Sequence, residues 1–176
     1  MPKGESVDIV DQQDIIVGAS TVEKCTRGGL LHRAVAVLVI RGTGKFLLQQ
    51  RSKRDPWHPG LWTLSCTGHV RSGEAYETAA ERELHEEIGV SARLTLAGKR
   101  LLPPIHSAGL TEYEWVAFYV AHTDVACKVD RTELEGVREV TEAELRRMVD
   151  DDLLTPDAIF LLSDYLNPRV WRKPRL

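Results

Sequence analysis

The run Gly68-His69-Val70-Arg71-Ser72-Gly73-Glu74-Ala75-Tyr76-Glu77-Thr78-Ala79-Ala80-Glu81-Arg82-Glu83-Leu84-His85-Glu86-Glu87-Ile88-Gly89-Val90 decides how this chain is read. Ser72-Gly73-Glu74 opens a series of good helix formers from Ala75 to Ile88, and Gly89 stands where a helix stops. Glu83, Glu86 and Glu87 then fall at i, i+3 and i+4, which places their carboxylates on one side of the predicted helix. Like charges so placed repel by roughly 0.2–0.5 kcal/mol per pair unless a cation or guanidinium offsets them. The spacing alone supports two readings: a solvated acidic face with Arg82 bridging to Glu86, or a cation site whose hard oxygens suit magnesium or manganese.

Around this run, 176 residues with 43% hydrophobic side chains predict one domain over 1–176. Its expected parts are an N-terminal hairpin extension over about 1–30, a core over 31–150, and a C-terminal helix with a basic tail over 151–176. A formal charge of -3 argues against a chain that coats nucleic acid or an anionic membrane, so small molecules are the expected partners. The sequence leaves oligomeric state open. Cys25, Cys66 and Cys127 form no CxxC pair and are odd in number, which predicts a reducing compartment, by default the cytoplasm. Met1-Pro2-Lys3-Gly4-Glu5 has neither the apolar stretch of a signal peptide nor the character of a transit peptide. The longest strongly apolar run, Ala34 to Ile40, is too short to span a bilayer.

Val7–Val10 and Ile15–Ala19 read as a small hairpin around Asp11-Gln12-Gln13-Asp14, and Ala34–Ile40 and Lys45–Gln50 as a second around Arg41-Gly42-Thr43-Gly44. Further strands are expected at Trp62–Thr67, Leu94–Leu102, Trp115–Ala121 and Gly136–Val140. Thr141-Glu142-Ala143-Glu144 is a capping box for a helix through Val149, and Pro156 starts another ending near Leu166.

The spacing of Gly68, Glu74 and Arg82-Glu83-Leu84-x-Glu86-Glu87-x-Gly89-Val90 resembles the Nudix box of pyrophosphohydrolases. The resemblance implies an α/β/α sandwich around a mixed β-sheet, in which a loop-helix-loop holds metal against a diphosphate. It assigns Glu83, Glu86 and Glu87 as ligands of Mg2+ or Mn2+, one of them helping to deprotonate water. Arg82 and Glu74 become orienting partners, the backbone carbonyl of Thr67 a further ligand, and Gly68 and Gly89 structural positions.

A narrower likeness rests on Leu31-His32-Arg33-Ala34, Leu47-Leu48-Gln49-Gln50-Arg51, Pro59-Gly60-Leu61-Trp62-Thr63 and Cys66-Thr67-Gly68-His69. These resemble type I isopentenyl-diphosphate isomerases, a Nudix branch. There the counterparts of His32, His69, Glu112 and Glu114 help hold a second metal, Zn2+ or Mn2+ here, and Arg51's counterpart contacts phosphate. A further family histidine is Cys25 in this chain, and cysteine suits a softer metal such as zinc. Glu112 and Glu114 are two apart and are expected on one face of a strand.

The chain departs from that branch where isomerisation needs an acid. The branch places a cysteine before the box glycine; here Thr67 stands there, and a hydroxyl is a far weaker acid than a thiol. Cys66 is adjacent, but neighbouring strand residues face opposite ways, so it is expected in the core. Asp157 follows Pro156 in place of the branch's pocket tryptophan, and Tyr76 to Tyr113 contains no auxiliary tyrosine. The box keeps its three carboxylates where isomerases commonly carry basic residues. Three readings remain: a Mg/Mn-dependent pyrophosphohydrolase acting on a nucleoside diphosphate linked to X, an isopentenyl-diphosphate isomerase, and a ligand sensor without turnover. Glu114 is a candidate base or ligand in the first of these. Lys53 and Arg54 rim the expected pocket, Trp57 and Trp62 are candidates to stack on a base or to fill core, and the tail Arg169, Trp171, Arg172, Lys173, Arg175 carries no assigned function.

Overall fold

The structure, a computed structural model, describes residues 4–129 and 134–166. The basic tail lies outside the described residues.

The chain opens with β1 (Ser6–Val10) and β2 (Ile16–Thr21), an antiparallel hairpin, followed by a short helix α1 (Val22–Gly28). Thr21 caps α1 by accepting from the Lys24 amide, and Gly29, at φ 61°, ends it in the left-handed region. Next come β3 (His32–Ile40), β4 (Phe46–Arg51), β5 (Trp62–Thr63), β6 (Cys66–His69) and α2 (Tyr76–Ile88). After them run β7 (Leu94–Leu101), β8 (Ile105–Ser107), β9 (Leu110–Glu112), β10 (Glu114–His122), β11 (Leu134–Val140), α3 (Glu142–Asp150) and α4 (Pro156–Leu166).

Nine strands form one mixed sheet and β8–β9 a separate ribbon among the described residues. β3 is central: β10 lies parallel to it along its whole length, β6 pairs antiparallel with its first half, and β4 joins only at Val39 and Ile40. Strands β3 and β4 therefore diverge towards the N-terminal end of β3. Ser65 sits where they part, its hydroxyl donating to the Leu47 carbonyl at 2.6 Å and accepting from the Val39 amide at 2.7 Å. A buried ladder group left open would cost about 1–3 kcal/mol, so the hydroxyl stands in for the missing strand contact.

Alternation along β3 builds two cores. Ala34, Ala36 and Leu38 pack with Leu145 and Met148 of α3 and Ala158 and Leu162 of α4. Val35, Val37 and Val39 face the opposite side, with Ala80, Leu84 and Ile88 of α2. The result is the expected α/β/α sandwich. The capping box of α3 forms as read, with Thr141 and Glu144 bonded reciprocally.

One local expectation is corrected. Ser72-Gly73-Glu74 does not begin α2, which starts at Tyr76 behind an N-cap, Ala75, that offers no side-chain bond. The Ser72 hydroxyl and Gly73 amide donate instead to the buried Asp8 carboxylate of β1, at 2.6 and 3.1 Å. The hydrogen bond from Ser72 outweighs burial and keeps the Asp8 carboxyl below its usual range. The N-terminal hairpin thus fixes the loop leading into α2.

Candidate functional site

A cavity of about 320 Å³ opens where β3 and β4 diverge. One wall is the loop-helix-loop. Arg82 uses all its donors there: Nε and Nη2 grip Glu74 at 3.0 and 2.9 Å, Nη2 also reaches the His69 carbonyl at 3.0 Å, and Nη1 binds Glu83 at 2.5 Å and Glu86 at 3.3 Å. Glu87 is buried and accepts from Gln49 Nε2 at 3.1 Å and the Thr67 amide at 3.3 Å. Burial pushes the Glu83 carboxyl up, and Arg82 only partly offsets that. Gly68 makes the approach possible: a Cβ there would lie 2.2 Å from the Glu83 carboxyl carbon. At the far end Gly89, at φ 66°, closes the helix through its amide to His85 and Leu84.

The opposite wall comes from three adjacent strands. Register places Glu114 of β10 beside His32 of β3, and Ala34 of β3 beside His69 of β6, so the three side chains share one face. His32 Nε2 and His69 Nε2 lie 3.3 and 3.5 Å from Glu114 Oε1. Nδ1 of His32 is occupied by the Leu30 carbonyl at 2.8 Å, which aims Nε2 inward. Burial alone would raise the Glu114 carboxyl and lower His32. Their mutual attraction, with His69 adding to it, outweighs burial and moves both in the opposite direction. Ligand atoms of the three lie within 4.8 Å of one another, and the buried His32 Nε2 meets Glu114 as an ion-pair neighbour without a well-aligned hydrogen bond. Such a nitrogen-nitrogen-carboxylate set fits zinc or manganese.

Glu112 and Glu114 do not share a strand face. Glu112 ends β9 in the small ribbon, Glu114 begins β10 in the main sheet, and Tyr113 between them turns the chain from one to the other. Both still line the cavity. Glu112 lacks an imidazole partner; burial, then the nearby Glu114 and Asp157, push its carboxyl well above the usual range. Cys25 is buried in a small apolar cluster with Val7 and Val22, outside the His32/His69/Glu114 group.

Arg51 lines the cavity with its guanidinium donating to the Trp57 carbonyl and Asp55, both at 2.8 Å. Arg54 also lines it, whereas Trp62 packs against the α3–α4 core. Trp57 is fully buried on the cavity wall. Thr67 faces the cavity and Cys66 faces the α2 core, as strand alternation requires. Sequence reasoning missed Glu5, Arg71 and Gln49 as lining residues. Arg71 Nε binds Glu5 at 2.6 Å across 66 positions of chain, a pairing for which no local signal exists.

No helix among the described residues is long and apolar enough to cross a membrane. The family profile of the NUDIX domain matches residues 30–160. An isopentenyl-diphosphate Delta-isomerase of Nocardia farcinica is 38% identical over 142 residues, covering 80% of this chain and 81% of that protein. An uncharacterized Nudix hydrolase of Yersinia pestis is 31% identical over 170 residues, covering 92% and 86%. In structure, the DR0079 protein of Deinococcus radiodurans superposes with a TM-score of 0.74 at 21% identity, covering 93% of this chain and all of that one, which speaks to fold. With its profile match spanning both walls of the cavity, the chain belongs to the Nudix family.

Proposed function

We propose that the protein is a metal-dependent hydrolase that cleaves the pyrophosphate bond of a nucleoside diphosphate linked to a group X, or of a related diphosphate. The observation carrying this reading is the alternation at β6. Cys66 points into the core and Thr67 into the cavity, so no thiol among the described residues reaches the cavity, while Glu83, Glu86 and Glu87 all line it. A thiol-free cavity is poorly equipped to protonate an alkene, and an acid-lined one is equipped to hold dications and water.

Glu83, Glu86, Glu87 and the Thr67 carbonyl would hold magnesium or manganese, hard oxygen donors that fit those ions, around the bare backbone of Gly68. A dication bound there supplies a lowered pKa for water and neutralises charge growing on the phosphate oxygens. The chain does the rest. Arg82 fixes Glu83 and Glu86 in one orientation, and Gln49 with the Thr67 amide fixes Glu87. The water oxygen forms a bond to one phosphorus, the bridging oxygen leaves with the bonding pair on the other phosphate, and the water proton passes to a carboxylate and then solvent. Glu114, held ionised by two imidazoles, is a weak proton acceptor and better suited as a ligand with His32 and His69 for zinc or manganese.

The second reading, isopentenyl-diphosphate isomerisation, is favoured by the names of relatives from Nocardia farcinica and Photorhabdus laumondii, at 38% and 32% identity. It asks Thr67 to act as an acid. A panel of diphosphates incubated with magnesium separates the two: the hydrolase reading expects phosphate-bearing fragments, and conversion of isopentenyl to dimethylallyl diphosphate without fragments refutes it.

A further inference from the structure

The family profile begins at residue 30, yet the chain ahead of it reaches the cavity. The Ser6 carbonyl accepts from the Ser72 amide at 2.8 Å, Val7 makes a strand bridge to Arg71, and the Glu74 carboxylate accepts from the Arg71 amide at 2.9 Å. The backbone at Arg71 is therefore pinned from two sides, and its guanidinium is held as well. Nε donates to the Glu5 carboxylate at 2.6 Å, and Glu5, 10% exposed, is enclosed beside it. Nη2 lies 3.9 Å from Glu86, which sets that end of the guanidinium beside the box carboxylates. Neither Nη nitrogen donates a hydrogen bond among the described residues.

Among the described residues, no other arginine of the cavity is both held and open at two Nη nitrogens. Arg82 spends its donors on Glu74, Glu83, Glu86 and the His69 carbonyl, and Arg51 gives Nε to the Trp57 carbonyl and Nη2 to Asp55. Arg54 is exposed, with no side-chain partner among the described residues. An ion pair such as Glu5–Arg71, half-open to water, adds little to stability. It does fix a guanidinium whose rotamer freedom would otherwise be lost on binding a ligand. Once a dication takes up the Glu86 charge, the open Nη edge calls for another anion, and two Nη groups side by side match a pair of phosphate oxygens.

We propose that Arg71, aimed by Glu5, grips the phosphate of a metal-bound diphosphate, so that a residue ahead of the family profile serves as a positioning residue of the site. This rests on the reading above that the cavity receives a diphosphate. It goes further in giving the N-terminal segment a part in substrate binding and in naming the pair that performs it.

The test is calorimetric titration of the full chain, in magnesium, with methylenediphosphonate, a diphosphate analogue whose bridging carbon resists hydrolysis. Arg71→Ala is expected to weaken the analogue about 10- to 100-fold, while magnesium alone binds unchanged or tighter because a cation beside Glu86 has gone. Arg71→Lys, a point charge without the fork, falls between and serves if the alanine variant does not fold. Glu5→Gln is expected to weaken the analogue about 3- to 10-fold in the wild-type background and not at all in the Arg71→Ala background, since it acts through the guanidinium. An affinity within about 2-fold of wild type in both Arg71 variants, or an equal loss from Glu5→Gln in both backgrounds, overturns the grip. Magnesium lost along with the analogue marks collapse of the box loop and overturns it as well. No binding of the analogue by the wild type overturns the diphosphate reading and the grip with it. The expected losses in a protein that cleaves no diphosphate overturn the hydrolase reading alone.

Discussion

The two acid-bearing walls of the cavity balance their charge in different ways. On α2, Glu83 and Glu86 share one guanidinium, and Glu86 remains half-exposed, with 51% of its side chain open. Across the cavity Glu114 is almost enclosed and answered by two imidazoles, while Glu112, two residues away, has none. The first wall is carried by one helix, where Arg82 of that helix holds Glu83 and Glu86, and Gln49 with the Thr67 amide holds the buried Glu87. The second is assembled from β3, β6 and β10 and depends on strand register. It follows that the first wall can lose the half-exposed Glu86 carboxylate with little effect on folding, whereas the second is tied to stability.

The largest effect is expected on the first wall. Glu87→Gln or Glu86→Gln should reduce magnesium-dependent turnover by a hundred-fold or more, and for the half-exposed Glu86 the melting temperature should stay close to wild type. Full turnover in both variants would remove the box from the chemistry.

The second wall should respond in stability. His32→Ala leaves Glu114 buried with half its partners, and a loss of about 2 kcal/mol is expected in urea unfolding of chelator-treated protein. Zinc or manganese content after reconstitution should fall in the same variant.

The pH dependence of that wall has two limbs. His32 is raised in the folded state, so its contribution is complete below the unfolded value of about 6.5 and is lost as pH rises through the folded one. Glu114 is depressed, so its contribution is complete above the unfolded value of about 4.3 and is lost as pH falls through the folded one. Metal-free protein should therefore show its greatest benefit from the pair between those values. His32→Ala should flatten the alkaline limb, and an unchanged melting-temperature profile would contradict the pairing.

Away from both walls, Asp14 clamps the N-terminal hairpin to the sheet through Arg33, Lys99 and the Tyr76 hydroxyl, at 2.6, 2.6 and 3.1 Å. Asp14→Ala is expected to lower stability by about 1–2 kcal/mol, because Lys99 keeps access to water. Ser65→Ala, which opens both the buried Val39 amide and the buried Leu47 carbonyl at the parting of β3 and β4, is expected to cost about 2–3 kcal/mol in the same unfolding measurement.

What the sequence discloses follows the same division. Helical spacing is local, so the α2 carboxylates, Arg82 and the closing Gly89 can be read directly from their order. His32, His69 and Glu114 were reachable only through resemblance, because the register that joins them is a tertiary property. The β8–β9 ribbon escaped because its two-residue turn is Ala108-Gly109, with φ 49° and 77°. Both positions need positive φ, for which asparagine or glycine is the usual signal, and alanine hides it. That concealed strand break is also why Glu112 and Glu114 read as one strand. Helix α1 was missed because its seven residues carry too little periodicity to announce a helix, and its cap, Thr21, sits at the end of a strand.

The central claim is that the box carboxylates serve the attack of water on a diphosphate. Its most direct test is mass spectrometry of products formed with magnesium in oxygen-18 water from a panel including ADP-ribose and isopentenyl diphosphate. The account predicts a phosphate fragment carrying one heavy oxygen. An uncleaved panel, with isopentenyl diphosphate converted to its dimethylallyl isomer and no label at phosphorus, would contradict it.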